Sequence, residues 1–401
     1  MLWHDVIPFL FLTAVFWQLM YILFVFLRLS FYKRQVPEFL ESAPGVSIVV
    51  AAWNELENLQ ALIPLLENQQ YPDFEIIIVD DRSSDGTYDY LLTNKDNFPN
   101  VKIVRIETVP VHFTAKKYAL TMGIKKASKE LILVTDADCR PASELWVQRM
   151  AESLGEKDIV LGYSPYPAYA GGLNALIRYE TFQTAVQYLS FALAGIPFMG
   201  VGRNLLYRKD FFWANGGFSS HYGLLGGDDD LFVNQTANAK NVVICIESDA
   251  YTLSEPKRNW KDWFIQKRRH LSVGKKYKLK HKIHLGLLWY GQLFSWFLFI
   301  PALFFQPELF QVPDWARIPA AVSKESHLES ILFITDWMRF VFGVFIGYIL
   351  VKWLVFGSLN RKLGSNVGIW RMPYYEFLFT GYLFILGIVT LFTNPKRLRW
   401  R

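Results

Sequence analysis

The chain has 401 residues, of which 52% are hydrophobic, 17% aromatic and only 19% charged, with a formal net charge of +6. That balance is too apolar for an ordinary soluble domain, so part of the chain is expected in lipid. The two cysteines, Cys139 and Cys245, each lie in a run that reads as buried, which argues against a disulfide framework or a cysteine-rich metal site and fits a reducing, cytoplasmic setting.

The first predicted element, residues 6–27, carries no formal charge. About 22 residues at 1.5 Å each reach about 33 Å, enough to cross a hydrocarbon core. Phe, Trp and Tyr run through it and no small-residue cleavage site follows, so it reads as a retained anchor within residues 1–35 rather than a signal peptide. Arg28, Lys33 and Arg34 follow it, on the side where basic residues favour the cytoplasm.

Residues 36–281 have soluble-domain texture. A short apolar, β-branched run at 46–51 precedes a stretch at 54–68 in which Leu56, Leu59, Leu62, Ile63 and Leu66 recur at helical spacing. The alternation continues through 74–79, 87–92 and 101–106, a helix at 115–127 and a strand at 131–135. Apolar strands separated by helices predict an α/β fold with a mainly parallel sheet covered on both faces. Ligands of such sheets sit beyond the carboxyl ends of the strands. The residues standing there are mostly acidic: Glu55 after the first strand, Asp80 and Asp81 after the second, and Asp136 and Asp138 after the fourth.

Each acidic group has two readings at this stage. Asp136 and Asp138 repel one another unless a cation joins them, which suits Mg²⁺ or Mn²⁺ shared with a substrate diphosphate; alternatively one of them caps the next helix. Asp80 and Asp81 can accept from a base N–H or ribose hydroxyls, or simply populate an Asp-, Ser- and Gly-rich turn. Lys116 can supply a cation to a phosphate, or be solvated. In Gly226-Gly227-Asp228-Asp229-Asp230, Asp228 or Asp229 can take a proton from an acceptor hydroxyl; all three can also be helix N-terminal acids without chemistry. Gln266, Arg269 and His270 follow in a Trp-rich basic stretch, with Arg269 suited to a leaving diphosphate and His270 to an acceptor. Residues 257–282 hold eleven Lys or Arg against one acid, Asp262. A basic belt abutting an apolar span reads as a membrane-surface feature rather than a nucleic-acid site.

Residues 282–401 contain three further apolar stretches, 285–305, 340–356 and 374–392. Four full crossings would put the basic tail, with Lys396, Arg397, Arg399 and Arg401, on the outer side, against the positive-inside rule. The stretch 285–310, interrupted by Pro301 and Pro307, is the one expected to be irregular.

Taken in this order and spacing, Val50-Ala51-Ala52-Trp53-Asn54-Glu55, the Asp-Asp-x-Ser-x-Asp-Gly-Thr turn at 80–87, Lys116 before Ala119 and Leu120, and the Asp136-x-Asp138 pair resemble the family 2 glycosyltransferases with a GT-A fold. The resemblance implies that Ala51, Glu55 and Asp81 surround a nucleotide, that Asp136 and Asp138 meet the diphosphate and its divalent metal, and that 198–204 lines the acceptor side. It further implies an inverting displacement with its base near Asp228. Gly227-Asp228-Asp229 stands where many relatives have Glu-Asp, and His270 replaces the Trp of the Gln-x-x-Arg-Trp motif of processive synthases. The expected function is transfer of a sugar from a nucleotide-sugar, UDP-linked by resemblance, to a membrane lipid or lipid-linked acceptor by a multi-pass membrane enzyme with a cytoplasmic catalytic domain. A processive polysaccharide synthase and a non-catalytic nucleotide-sugar sensor are the alternatives.

Overall fold

The computed structural model describes residues 3–34, 43–305 and 325–391. Nine strands follow in chain order among them: β1 (Val46–Ala52), β2 (Phe74–Asp81), β3 (Val101–Ile106), β4 (Leu131–Asp136), β5 (Cys139–Pro141), β6 (Ile159–Gly162), β7 (Leu205–Arg208), β8 (Val242–Cys245) and β9 (Thr252–Ser254). Seven form one sheet in the order β3-β2-β1-β4-β7-β6-β8, and β5 and β9 make a separate two-stranded ribbon. The expected parallel half is present, with β2–β3, β1–β2 and β1–β4 all parallel. The other half is mixed, because β7 runs antiparallel to both β4 and β6.

The strands are apolar on both faces because both faces are covered. Val46, Ile48 and Val50 of β1 pack with Leu59, Leu62, Trp146 and Met150 from the helices Leu56–Glu67 and Trp146–Leu154. Val49, Ile77 and Val79 look the other way, onto Ala119, Leu120 and Ile124 of the helix Ala115–Lys126. That helix lies so close that a Cβ on Gly123 would meet Val49 at 2.6 Å and Val79 at 2.9 Å. Its position is therefore fixed relative to β1 and β2, which matters for the two lysines at its start.

At the opposite edge Glu75 ties three segments together. It accepts from Ser47 Oγ (2.5 Å), Ser128 N (2.6 Å), Ser128 Oγ (2.9 Å) and the Lys102 ammonium. Burial alone would raise its pKa, but Lys102 and these donors overcome that and hold it at about 2. The folded pKa is depressed, so the stabilisation is present above the ordinary carboxyl value and is lost as pH falls towards 2, by about 3 kcal/mol. Acid-unfolding curves of the wild type should steepen in that window and those of Glu75→Gln should not; parallel curves would contradict the assignment.

Among the described residues three helices are long and apolar enough to cross a membrane, Asp5–Phe31, Asp336–Lys362 and Ile369–Val389. The stretch expected to be irregular forms two helices, Leu279–Phe297 and Phe299–Phe304, that meet at Leu298. Pro301 accounts for the break, since its ring would clash with the carbonyl of Phe297 in a continuous helix. Pro307 and the basic tail lie outside the described residues. The helix Leu279–Phe297 runs antiparallel along the first helix, with Gln18 Nε2 donating to Leu288 O (2.7 Å) and Tyr21 Oη 2.8 Å from His284 Nδ1. Lys352 and Glu376 form a buried ion pair (2.6 Å) between the last two helices, and Trp296 and Tyr348 also donate to Glu376.

The link between those two helices is bonded into the sheet domain. Arg178 Nη2 donates to the carbonyls of Ser365 (2.8 Å) and Asn366 (2.9 Å), Tyr251 Oη donates to Leu363 O (3.2 Å), and Tyr163 Oη lies 3.0 Å from Ser365 Oγ. One apolar core runs from Phe11 and Phe26 of the first helix through Phe182 to Phe356.

Candidate functional site

Strand register brings the acidic turns to one edge. Ala51 stands between Val79 and Asp136, and Ala52 pairs with Asp80. The first two turns are stitched together: Asn54 N donates to Ser83 Oγ, Ser84 N to Asn54 Oδ1, Leu56 N to Asp85 Oδ2 and Glu55 N to Thr87 Oγ1. Asn54 and Arg82 both adopt left-handed φ, +55° and +58°, to turn the chain there. Asp85 is thus a turn former. Asp81 is buried and pairs with Arg82 (2.8 Å). Asp80 is only 1% exposed, beside Ser83, yet neither carboxylate oxygen has a well-formed hydrogen bond among the described residues, and burial raises its pKa. A buried carboxylate of this kind has room for a further donor beside Ser83.

Asp136, Asp138 and Cys139 each offer a ligand atom, all within 4.8 Å of one another. Burial and then the neighbouring Asp136 raise the pKa of Asp138; burial, then Asp138 and Asp136, raise that of Glu55. A cation added here relieves both, and the two carboxylates suit a hard divalent ion. Burial likewise raises the Cys139 thiol, which keeps it neutral and leaves the carboxylates as the better ligands. Arg203 and Lys257 face Asp138. The Arg203 guanidinium lies over Tyr166, 4.7 Å from the ring centre, with Nη1 buried and unpartnered among the described residues.

The acidic motif is brought in by Lys116. Its Nζ is 2.8 Å from Asp136 Oδ1 and 3.0 Å from Asp228 Oδ2, so one ammonium joins the strand-four pair to the distant triplet. The three acids of the triplet differ. Asp229 caps the helix Asp230–Thr236, with Oδ1 accepting from Asp230 N and Oδ2 from Gly202 N, both at 2.7 Å. Asp230 accepts from Tyr277 Oη (2.8 Å) and Leu231 N, and burial with Asp229 pushes its pKa up. Burial would raise Asp228 too, but Lys116 and Lys117 outweigh it and hold the carboxyl low. Asp228 is therefore the ionised member that faces the strand ends.

The segment 198–204 lies against this motif, through Gly202 N to Asp229 and Asn234 Nδ2 to Phe198 O (2.8 Å). Gln266 and Arg269 are half-buried on the helix Trp260–Gly274, which Lys267 fastens to the buried Glu180 at 2.7 Å. Their neighbour His270 is exposed, at the end of the helix nearest the Lys275–Lys276 pair. The edge thus gathers Ala51, Glu55, Asp80, Asp81, Lys116, Asp136, Asp138, Asp228 and Asp229, while Gln266 makes no hydrogen bond to the acidic groups among the described residues. Arg203 and Lys117 were not singled out from sequence. The Gly200-x-Gly202-Arg203-Asn204 run before an apolar strand and the Lys116-Lys117 doublet were the available signals.

Residues 47–216 match the family model described as Glycosyl transferase family 2. A glycosyltransferase of Haloferax volcanii, AglE, is 26% identical over 199 residues, 49% of this chain and 62% of that protein, so the match spans less than two thirds of that relative. A probable glycosyltransferase of Bacillus subtilis, YdaM, is 24% identical over 79% of this chain and 77% of its own length. Among solved structures, the mannosyltransferase PcManGT of Pyrobaculum calidifontis, in complex with GDP-Man and Mn²⁺, aligns over 86% of this chain and 98% of its own with a TM-score of 0.57 at 18% identity, a likeness of fold.

Proposed function

We propose that this chain, whose residues 47–216 match the Glycosyl transferase family 2 model and whose fold resembles that of a sugar-nucleotide-bound mannosyltransferase, transfers a single hexose from a nucleotide-sugar donor, with inversion, to a lipid or lipid-linked acceptor at a membrane surface. The observation that carries the reading is the Lys116 bridge between Asp136 and Asp228. It sets a diphosphate-facing group and an ionised carboxylate on opposite sides of one small volume, the arrangement a direct displacement needs.

In this reading Asp80 and Asp81 hold the base and ribose, with Ala51 leaving room for them and Glu55 beside the phosphates. Asp136 and Asp138 would hold a divalent ion, Mg²⁺ or Mn²⁺, which neutralises diphosphate charge when bound. Lys116 donates to the same diphosphate, and Arg269 and Gln266 close over it from their helix. Asp228 accepts the proton of the acceptor hydroxyl as its oxygen bonds to the anomeric carbon; the bond from that carbon to the diphosphate oxygen breaks, and the nucleoside diphosphate leaves.

The acceptor class is inferred from the helix Trp260–Gly274. His270 on this helix is exposed, and Trp260, Ile265 and Leu271 are 57%, 47% and 40% exposed amid basic residues. An exposed apolar and basic helix beside the site suits a lipid surface. We place the catalytic domain, residues 36–281, on the cytoplasmic side, between an N-terminal anchor, 1–35, and a multi-pass region, 282–401.

The purified full chain should release nucleotide from one member of a panel of UDP- and GDP-sugars, given membrane lipid extract and Mg²⁺ or Mn²⁺. Release should stop with EDTA, and a one-sugar lipid product should appear by mass spectrometry. A ladder of products would favour a processive synthase, and binding without turnover would favour a sensor.

A further inference from the structure

We propose that Lys117 is a positioning residue for the transfer step, its ammonium pinning the turn that presents Asp228; the inference rests on the assignment of Asp228 as the base. Lys117 is only 1% exposed. It donates to the carbonyl oxygens of His221 (3.0 Å), Gly226 (2.5 Å) and Leu224. An ammonium has three hydrogens and no acceptor, and here all three go to backbone carbonyls of one short loop.

That loop ends in two consecutive left-handed glycines, Gly226 (φ +81°) and Gly227 (φ +86°), immediately before Asp228. Left-handed glycines supply a sharp turn but little resistance to its relaxing. The frame that holds it comes from the other side. The helix Ala115–Lys126 is seated on β1 and β2 at Gly123, and its first turn also receives the loop through Thr114 N to Tyr222 O (2.9 Å) and the Phe113–Tyr222 ring contact (4.0 Å). Two adjacent residues of one helix therefore set the base: Lys117 holds the backbone leading to Asp228, and Lys116 holds its carboxylate. A side chain that merely filled space would not need three donors.

The charged and titratable groups facing Lys117 are Asp228, Asp230, Asp229, Lys116 and His221. Burial lowers its pKa to about 8, the three aspartates working against the shift and Lys116 with it. His221 is pushed down to about 4 by burial and Lys117, so it is neutral above that value. Below about 8 Lys117 is therefore charged, with all three hydrogens engaged by the loop. Because the folded pKa of Lys117 lies below its unfolded value, deprotonation removes a buried charge and does not reduce global stability.

The test uses the purified full chain in detergent, with Lys117→Met beside wild type. Lys117→Met should lower kcat about 30-fold with donor KM within about three-fold, a backbone misplacement near the chemistry rather than lost donor binding. Hydrogen exchange at 221–227 should rise in the variant while β1–β4 stays protected. An unchanged kcat, a donor KM that rises with the loss of kcat, or exchange at 221–227 equal to wild type would overturn the proposal. Should Lys117→Met not fold, wild-type amides at 221–227 must exchange far more slowly than their intrinsic rates, and exchange there at intrinsic rates overturns the proposal equally. If Asp228→Asn remains active, the base assignment fails while the exchange result still reads the pin, so the two failures are distinguishable.

Discussion

Asp228→Asn is expected to lower kcat by about 10³-fold or more, a loss of about 4 kcal/mol of transition-state stabilisation, with donor KM changed by no more than about three-fold. The asymmetry follows from what each acid of the triplet is already doing. Both oxygens of Asp229 are committed to backbone N–H groups, so Asp229→Asn should lower the melting temperature before it touches chemistry. Asp230 is buried against Tyr277 and has its second oxygen on Leu231 N. Only Asp228 is held ionised while facing the strand ends through Lys116. Asparagine keeps its shape and one oxygen for Lys116 but cannot take a proton. Steady-state kinetics with the identified donor decide the matter: retention of more than a tenth of wild-type kcat would move the base elsewhere.

Asp136→Ala should instead fail at the donor. Asp136 belongs to the carboxylate pair that fits a divalent ion and is also one of the two anchors of Lys116. Its removal leaves Asp138 as the single carboxylate ligand and lets Lys116 swing wholly to Asp228. We expect kcat/KM to fall by about 10³-fold, most of it in donor affinity, and titration calorimetry to find metal-dependent donor binding lost. Donor binding that survives in Asp136→Ala and is insensitive to EDTA would remove the metal from this site.

Much of the left half of the sheet was legible because its signals are local. Runs such as Val46–Ala52 and Leu131–Asp136 are apolar, each is followed at once by an acidic turn, and the helix Leu56–Glu67 carries an apolar stripe of Leu59, Leu62, Ile63 and Leu66. β6, β7 and β8 were not foreseen. Each has only four residues, too few to carry a period, and the reversal of β7 is a tertiary choice made by its pairing with β4 and β6. The same contrast holds in the site. Acids at strand ends announce themselves, but the division of labour among Asp228, Asp229 and Asp230 depends on Gly202 and Tyr277, which are remote in sequence. Lys117 was hidden for another reason: a lysine beside a lysine on a polar helix reads as solvated, and only the loop folding back over it buries the charge.

The bonds from Arg178, Tyr163 and Tyr251 to the 363–366 link bear on how the molecule can be handled at the bench. A fragment cut near residue 281 would strand those donors and uncover the Phe26, Phe182 and Phe356 seam, so it would precipitate or misfold rather than report on the intact chain. Micelles or nanodiscs enclosing the whole polypeptide are the preparation in which its kinetics can be read.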